Sequence, residues 1–135
     1  MIHAHGNISR KEFKLDSILD SIKDSLNIQT EDTNFDSQII MLINSAFAKV
    51  HQVLSGQESL FSISDRSALW TDFTTDDGLN FVKTYIYSKV KLVFDPPSTA
   101  AFLEALKQQI TEYEYMLSIY VTINTPDPIV TTEEV

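Results

Sequence analysis
The pair Pro96-Pro97 constrains the fold of this 135-residue chain more than any other feature. Pro96 pushes Asp95 out of the α region, and neither proline can donate a backbone N–H, so a helix must stop there. Upstream, Leu79, Phe81, Val82, Tyr85, Ile86, Val90, Leu92, Val93 and Phe94 describe a helix that is apolar nearly all round and therefore central. Downstream, Leu103, Leu106, Ile110, Tyr113, Leu117 and Tyr120 recur at helical spacing, with Ser98 placed to cap the start. The pattern predicts a two-helix hairpin with a rigid corner. Its seam sets Leu106, Ile110, Tyr113 and Leu117 against Val82, Ile86, Val90 and Val93.

Two further helices precede this hairpin. Leu15, Ile18, Leu19, Ile22 and Leu26 form one apolar stripe in a helix that starts at about Lys11 or Asp16 and ends by Asn27. Ser9 and Glu12 upstream have capping-box spacing. A helix from Asp36 to Leu54 follows, with Ile39, Ile40, Ile43, Phe47, Val50 and Leu54 on one face and Gly56 just past its end. Between the pairs, Leu60 to Ser64 alternates and Ala68-Leu69-Trp70 could return against it through Asp65-Arg66-Ser67. That is an irregular or β-hairpin insertion. Thr74-Thr75-Asp76-Asp77 is read as the opening of the third helix. The expected fold is thus all-α: a small four-helix bundle with that insertion between helices 2 and 3. Residues 1–14 form an N-terminal arm, 15–121 the helical domain, and 122–135 an extended C-terminal tail punctuated by Pro126 and Pro128.

Composition narrows the chemistry. The chain has no cysteine, which removes disulfides and thiolate sites. No apolar run approaches the roughly 20 residues of a membrane span, so a soluble protein made in a reducing cytoplasm is expected. Nineteen acidic residues against ten basic ones give a net charge of −9, the wrong sign for a clamp on DNA phosphates. His3 and His5 have metal-ligand spacing without a third ligand, and His51 sits near a helix end where an imidazolium suits the dipole. Asp72, Asp76 and Asp77 are explained by capping without a cation. The three glycines fit no phosphate loop. No catalytic residue, cofactor site or metal site is predicted, and the chain is not read as an enzyme.

Asp16, Asp20 and Asp24 stand four residues apart and make one acidic stripe, either a solvated face or an assembly or channel surface. Trp70, Phe61, Phe73, Phe81, Tyr85 and Tyr87 are aromatic enough to stack bases, but core packing suits them better because no basic residues interleave. Trp70 is kept as a candidate partner contact. In the tail, Ile123, Ile129 and Val130 are apolar residues that so short a segment cannot bury alone, which suits addition to a neighbour.

Several stretches, in this order, resemble the bacteriophage head–tail connector (adaptor, head-completion) family. They are Leu19 to Ile28, Phe35-Asp36 with Met41 to Ala48, Phe61-Ser62-Ile63, Trp70 to Phe73, Val82 to Pro97, and Ala105-Leu106 with Ile110 to Glu114. The resemblance spans roughly residues 19–121. It implies a structural virion protein of the neck that assembles as a homo-oligomeric ring, a dodecamer, below the portal protein. Such a ring extends the DNA channel without sequence-specific binding and docks the next neck or tail protein. The alternative from the residues is a small acidic binding module or regulator that docks one protein partner through the 57–78 loop.

Overall fold
The computed structural model describes residues 16–54 and 60–124, and in these the chain is all-α. Helix α1 spans Ile18–Ser25, α2 Asp36–Val53, α3 Trp70–Phe73, α4 Val82–Phe94 and α5 Ala100–Asn124. A 3-10 turn at Asp77–Leu79 leads into α4. The expected capping box at Ser9 and the stop at Gly56 lie outside the described residues.

Local chemistry sets each boundary. Ser17 caps α1, its Oγ accepting from the Asp20 N–H at 3.2 Å. Asn27 closes the helix at φ 63°, a left-handed position that asparagine tolerates. The Asn27 N–H then reaches the Asp24 carbonyl, and the Ile28 N–H reaches that of Lys23, a Schellman closure. At the proline corner α4 ends at Phe94 as predicted. Thr99, rather than Ser98, caps α5: its Oγ1 accepts from the Phe102 N–H at 3.3 Å. Asp76 caps the 3-10 turn through the Gly78 N–H, so the acidic run opens that turn and α4 starts later, at Val82.

Packing centres on α4, which lies against both α2 and α5, while α2 also meets α5 and α1 leans on α2. The core is therefore three long helices with a short fourth added at one side, not four equivalent ones. Ile39, Ile43, Phe47 and Val50 of α2 are buried with Val82, Tyr85, Ile86 and Val90 of α4 and with Ile110 and Leu117 of α5. Leu106 and Tyr113 pack at the edge of this cluster. Val93 departs from the predicted seam and is 62% exposed. It shares the helical face of Val82, Ile86 and Val90, but in the last turn of α4 Leu92 and Phe94 pack against the core in its place.

No strand occurs among the described residues, only an isolated antiparallel bridge between Ser17 and Leu69. The turn at Asp65 to Ser67 forms, with Asp65 Oδ1 accepting from both the Ser67 N–H and its hydroxyl. Its flanks find other partners. Asn44 of α2 acts as a surrogate strand, its Nδ2 donating to the Ile63 carbonyl at 2.9 Å and its Oδ1 accepting from the Ile63 N–H at 2.8 Å. On the other side Ile18 N–H donates to the Ala68 carbonyl. The insertion is irregular, not a hairpin. Asn44→Ala strands both backbone groups of a nearly buried residue, and urea denaturation should register a loss of about 1–3 kcal/mol.

Candidate assembly surface
Asp20, which the sequence reading puts in a surface stripe, is inside, and so is Lys23. Asp20 is 1% exposed and takes the Arg66 guanidinium at 2.7 Å from Nη2 and 3.0 Å from Nε. Lys23 is also 1% exposed; its ammonium donates to the Thr30 carbonyl at 3.0 Å and pairs with Asp36 at 2.7 Å. The predicted stripe is thereby split. Asp16 and Asp24 are exposed, while Asp20, between them, turns inward to hold the 60–69 segment. Arg66 also offers its carbonyl to the Ser17 hydroxyl, so α1 and this segment are tied twice.

Trp70 is likewise internal, 5% exposed, with its indole N–H on Ser21 Oγ at 3.0 Å. Phe47 gathers Phe61, Phe73 and Trp70 at centroid distances of 4.9, 5.0 and 6.3 Å. The aromatic group is a core, and Trp70 is withdrawn as a contact for partners. Two shallow depressions, about 170 and 260 Å³, flank Trp70 and Lys83, smaller than ordinary ligand pockets. Asp72 Oδ2 accepts from the Leu69 N–H and Asp76 Oδ1 from the Gly78 N–H, which are capping roles. Among the described residues no group of three or more His, Cys, Asp or Glu side chains could hold a metal ion. His51 is half-buried in the last turn of α2. His3, His5, Ile129 and Val130 lie outside the described residues.

What the surface offers instead is apolar helix. Opposite its core face, α5 exposes Tyr115, Met116, Ile119 and Ile123, at 65, 42, 37 and 73%. Positions 115, 116, 119 and 123 fall within about 100° of arc on a helix. The first half of the same face carries Ala101, Glu104, Ala105, Gln108 and Glu112, so apolar character begins only after Glu112. Ile123 falls in the extended tail expected from the sequence, yet α5 continues through Asn124, and Thr122 to Asn124 are helical. Tail residues three and four apart can be seen as a helical continuation of the Met116-Ile119 register; Pro126 obscured this. A second apolar group, Phe35, Val93 and Phe102, is exposed on the elements that meet near the proline corner, where Phe35 stacks edge-on against Phe94 at 5.5 Å.

Two polar ties, one at the core and one at the surface, fix the pose of α5. The fully buried Tyr85 donates its hydroxyl to Glu114 Oε2 at 2.8 Å. Burial first, and then the Glu114 acceptor and its charge, hold that phenol protonated well above its usual range. Further along, Tyr120 donates to Asp76 Oδ2 at 2.6 Å. That phenol and, secondarily, the Gly78 N–H hold the Asp76 carboxyl below its ordinary value of 3.8. A depressed folded pKa means that the stabilisation is complete above the ordinary value and is lost as pH falls through the lowered one. The protection factors of the Gly78 and Tyr120 amides, taken relative to the intrinsic exchange rate at each pH, should therefore hold steady down to about pH 4 and fall only in stronger acid.

The described residues thus form an all-α body with tied helices, shallow depressions and an exposed apolar helix face. The model of the phage connector protein family matches residues 18–123, and the chain belongs to that family. No curated protein and no solved structure matches the chain. Connector proteins are structural components of the virion that assemble with other phage head and tail proteins. Among the described residues no helix is long and apolar enough to cross a membrane.

Proposed function
We propose that this chain is a head–tail connector that closes into a ring of identical copies, a dodecamer, at the neck beneath the portal protein. The ring extends the DNA channel and docks the next neck or tail protein. The observation that carries this reading is the unpartnered apolar face of α5 in a chain matched over residues 18–123 by the connector family. A ring needs a heterologous contact between two unlike patches of the same molecule. The α5 stripe and the Phe35, Val93, Phe102 group are two such patches. Ile123 belongs to the first patch, and we assign it, with Ile129 and Val130 of the tail, to contact with a neighbouring subunit or the portal. Asp16 and Asp24 supply exposed negative charge where α1 begins and ends, suited to a channel wall that keeps DNA moving over a Debye length of about 8–10 Å.

Docking of a single partner through the 57–78 loop has less support, because Ile63 and Trp70 of that loop are spent in the core. Native mass spectrometry of the full chain with and without portal tests the ring. The expected result is a closed oligomer whose formation fails when Met116, Ile119 and Ile123 are all changed to Asp while the helical spectrum is kept. A monomer at every concentration, with and without portal, would refute it.

A further inference from the structure
Helix α5 carries Ala101, Ala105, Gln108, Glu112, Tyr115 and Ile119 along its outer face, in steps of 4, 3, 4, 3 and 4. This is the seam spacing of a helix that pairs with another helix. All six residues are exposed, and no apolar member of the seam joins the core of its own chain. The seam is lopsided. It starts with two alanines, is polar at Gln108 and Glu112, and ends with Tyr115, 65% exposed, and Ile119, 37% exposed. Such a pattern is incomplete on one helix and complete on two.

Reversal supplies the complement. A two-fold axis passing midway between Gln108 and Glu112 sets Ile119 of one copy on Ala101 of the other, and Tyr115 on Ala105. Each outer layer then matches one large side chain with one small one. The two central layers match the Gln108 amide with the Glu112 carboxylate, donor to acceptor. At one edge Phe102, 68% exposed, comes beside Met116 of the other copy, 42% exposed. A parallel pair fails on the same residues. It stacks Glu112 on Glu112, like charge on like, and Tyr115 on Tyr115, while leaving alanine on alanine. Size and charge thus select a second, antiparallel copy of this helix as the occupant.

We propose that free subunits pair two-fold through α5, the helices antiparallel, with Ala105 of each copy under Tyr115 of the other. The seam from Ala101 to Ile119 is about 27 Å long. One helix against one helix makes a contact at the low end of protein interfaces, so the pair forms at roughly 100 µM and parts on dilution. Two copies close this contact and it cannot propagate, whereas a ring needs two unlike patches. The pair shields Tyr115, Met116 and Ile119 before assembly and opens when the ring takes that face. It does not rest on ring closure: a chain that never joins a ring would still form it.

Sedimentation equilibrium of the full chain without portal, from about 1 to about 300 µM, should show a monomer–dimer equilibrium. Ala105→Tyr fills the space under Tyr115 and should weaken dimerisation about tenfold, with the helical spectrum kept. Adding Tyr115→Ala exchanges large for small and should bring the affinity back to within about threefold of the parent. Because the chain has no cysteine, an equal mixture of Ala105→Cys and Tyr115→Cys chains reads the register on mild oxidation. Mixed disulfides should form, and neither variant alone should cross-link, since like positions lie about 15 Å apart along the seam. The proposal is overturned by a chain that stays monomeric across the range, by a dimer indifferent to Ala105→Tyr, by a double variant no better than the single one, or by disulfides between like positions. A dimer that never closes into a ring on the portal counts against the connector ring alone. A ring from a chain that never dimerises counts against the pair alone.

Discussion

Phe47→Ala is expected to cost about 3–5 kcal/mol of unfolding free energy, enough to unfold a marginal domain. The ring is 1% exposed and sits where α2, α3 and the segment around Phe61 meet. Phe61 packs edge-on against it, Phe73 and Trp70 tilt onto it, and Ile43 and Val50 flank it on α2. Removal leaves a cavity that α2 cannot close, because Asn44 beside it is committed to the Ile63 backbone. The loss should be shared unequally. The 60–73 segment hangs on this ring and on the Asp20–Arg66 tie, so its amides should lose protection before those of α4 do. Urea denaturation gives the total, and hydrogen exchange gives the order. A change below about 1 kcal/mol would mean that the aromatic cluster is not the joint between α2 and the insertion.

Lys23→Ala carries the second large effect, about 3 kcal/mol, the low end for breaking a buried ion pair. Its ammonium is the only group bonded at once to the Thr30 carbonyl and the Asp36 carboxylate among the described residues. It thereby draws the α1–α2 connector against the start of α2. Asp36 is 27% exposed and can recover some water when the lysine is gone, which keeps the loss from the top of the range. Lys23→Met keeps the aliphatic stem and should lose less, since only the polar end is then missing. If the alanine and methionine chains unfold at the same urea concentration, the stem contributes nothing and the loss belongs wholly to the charge. If neither differs from the parent, the buried pair is not a fastening.

How much of this was legible in the sequence depends on the kind of signal. Long apolar periods gave α2 almost to the residue, and the proline corner placed the end of α4 at Phe94. Caps were harder, because adjacent Ser98 and Thr99 offer the same hydroxyl and only backbone geometry selects Thr99. Periodicity assigns Val93 to the face of Val82, Ile86 and Val90 but does not show that Leu92 and Phe94 take the contacts in the last turn of α4. Asp20 and Lys23 look like surface charge because their partners, Arg66 and Asp36, are distant in sequence or separated by a turn. Once Asp20 turns inward, the acidic stripe is no longer one surface. The alternating Leu60 to Ser64 run resembles a strand for a real reason: Ile63 does make a ladder-like pair, but with the side chain of Asn44 instead of another strand. Family resemblance, by contrast, rested on order and spacing over most of the chain, and the match over residues 18–123 agrees with it.

If this protein joins head to tail, electron microscopy of particles assembled without it should show DNA-filled heads and separate finished tails. Joining should return when the full chain is supplied and not when the chain with Met116→Asp, Ile119→Asp and Ile123→Asp is supplied. Intact tailed particles formed without the protein would contradict that role.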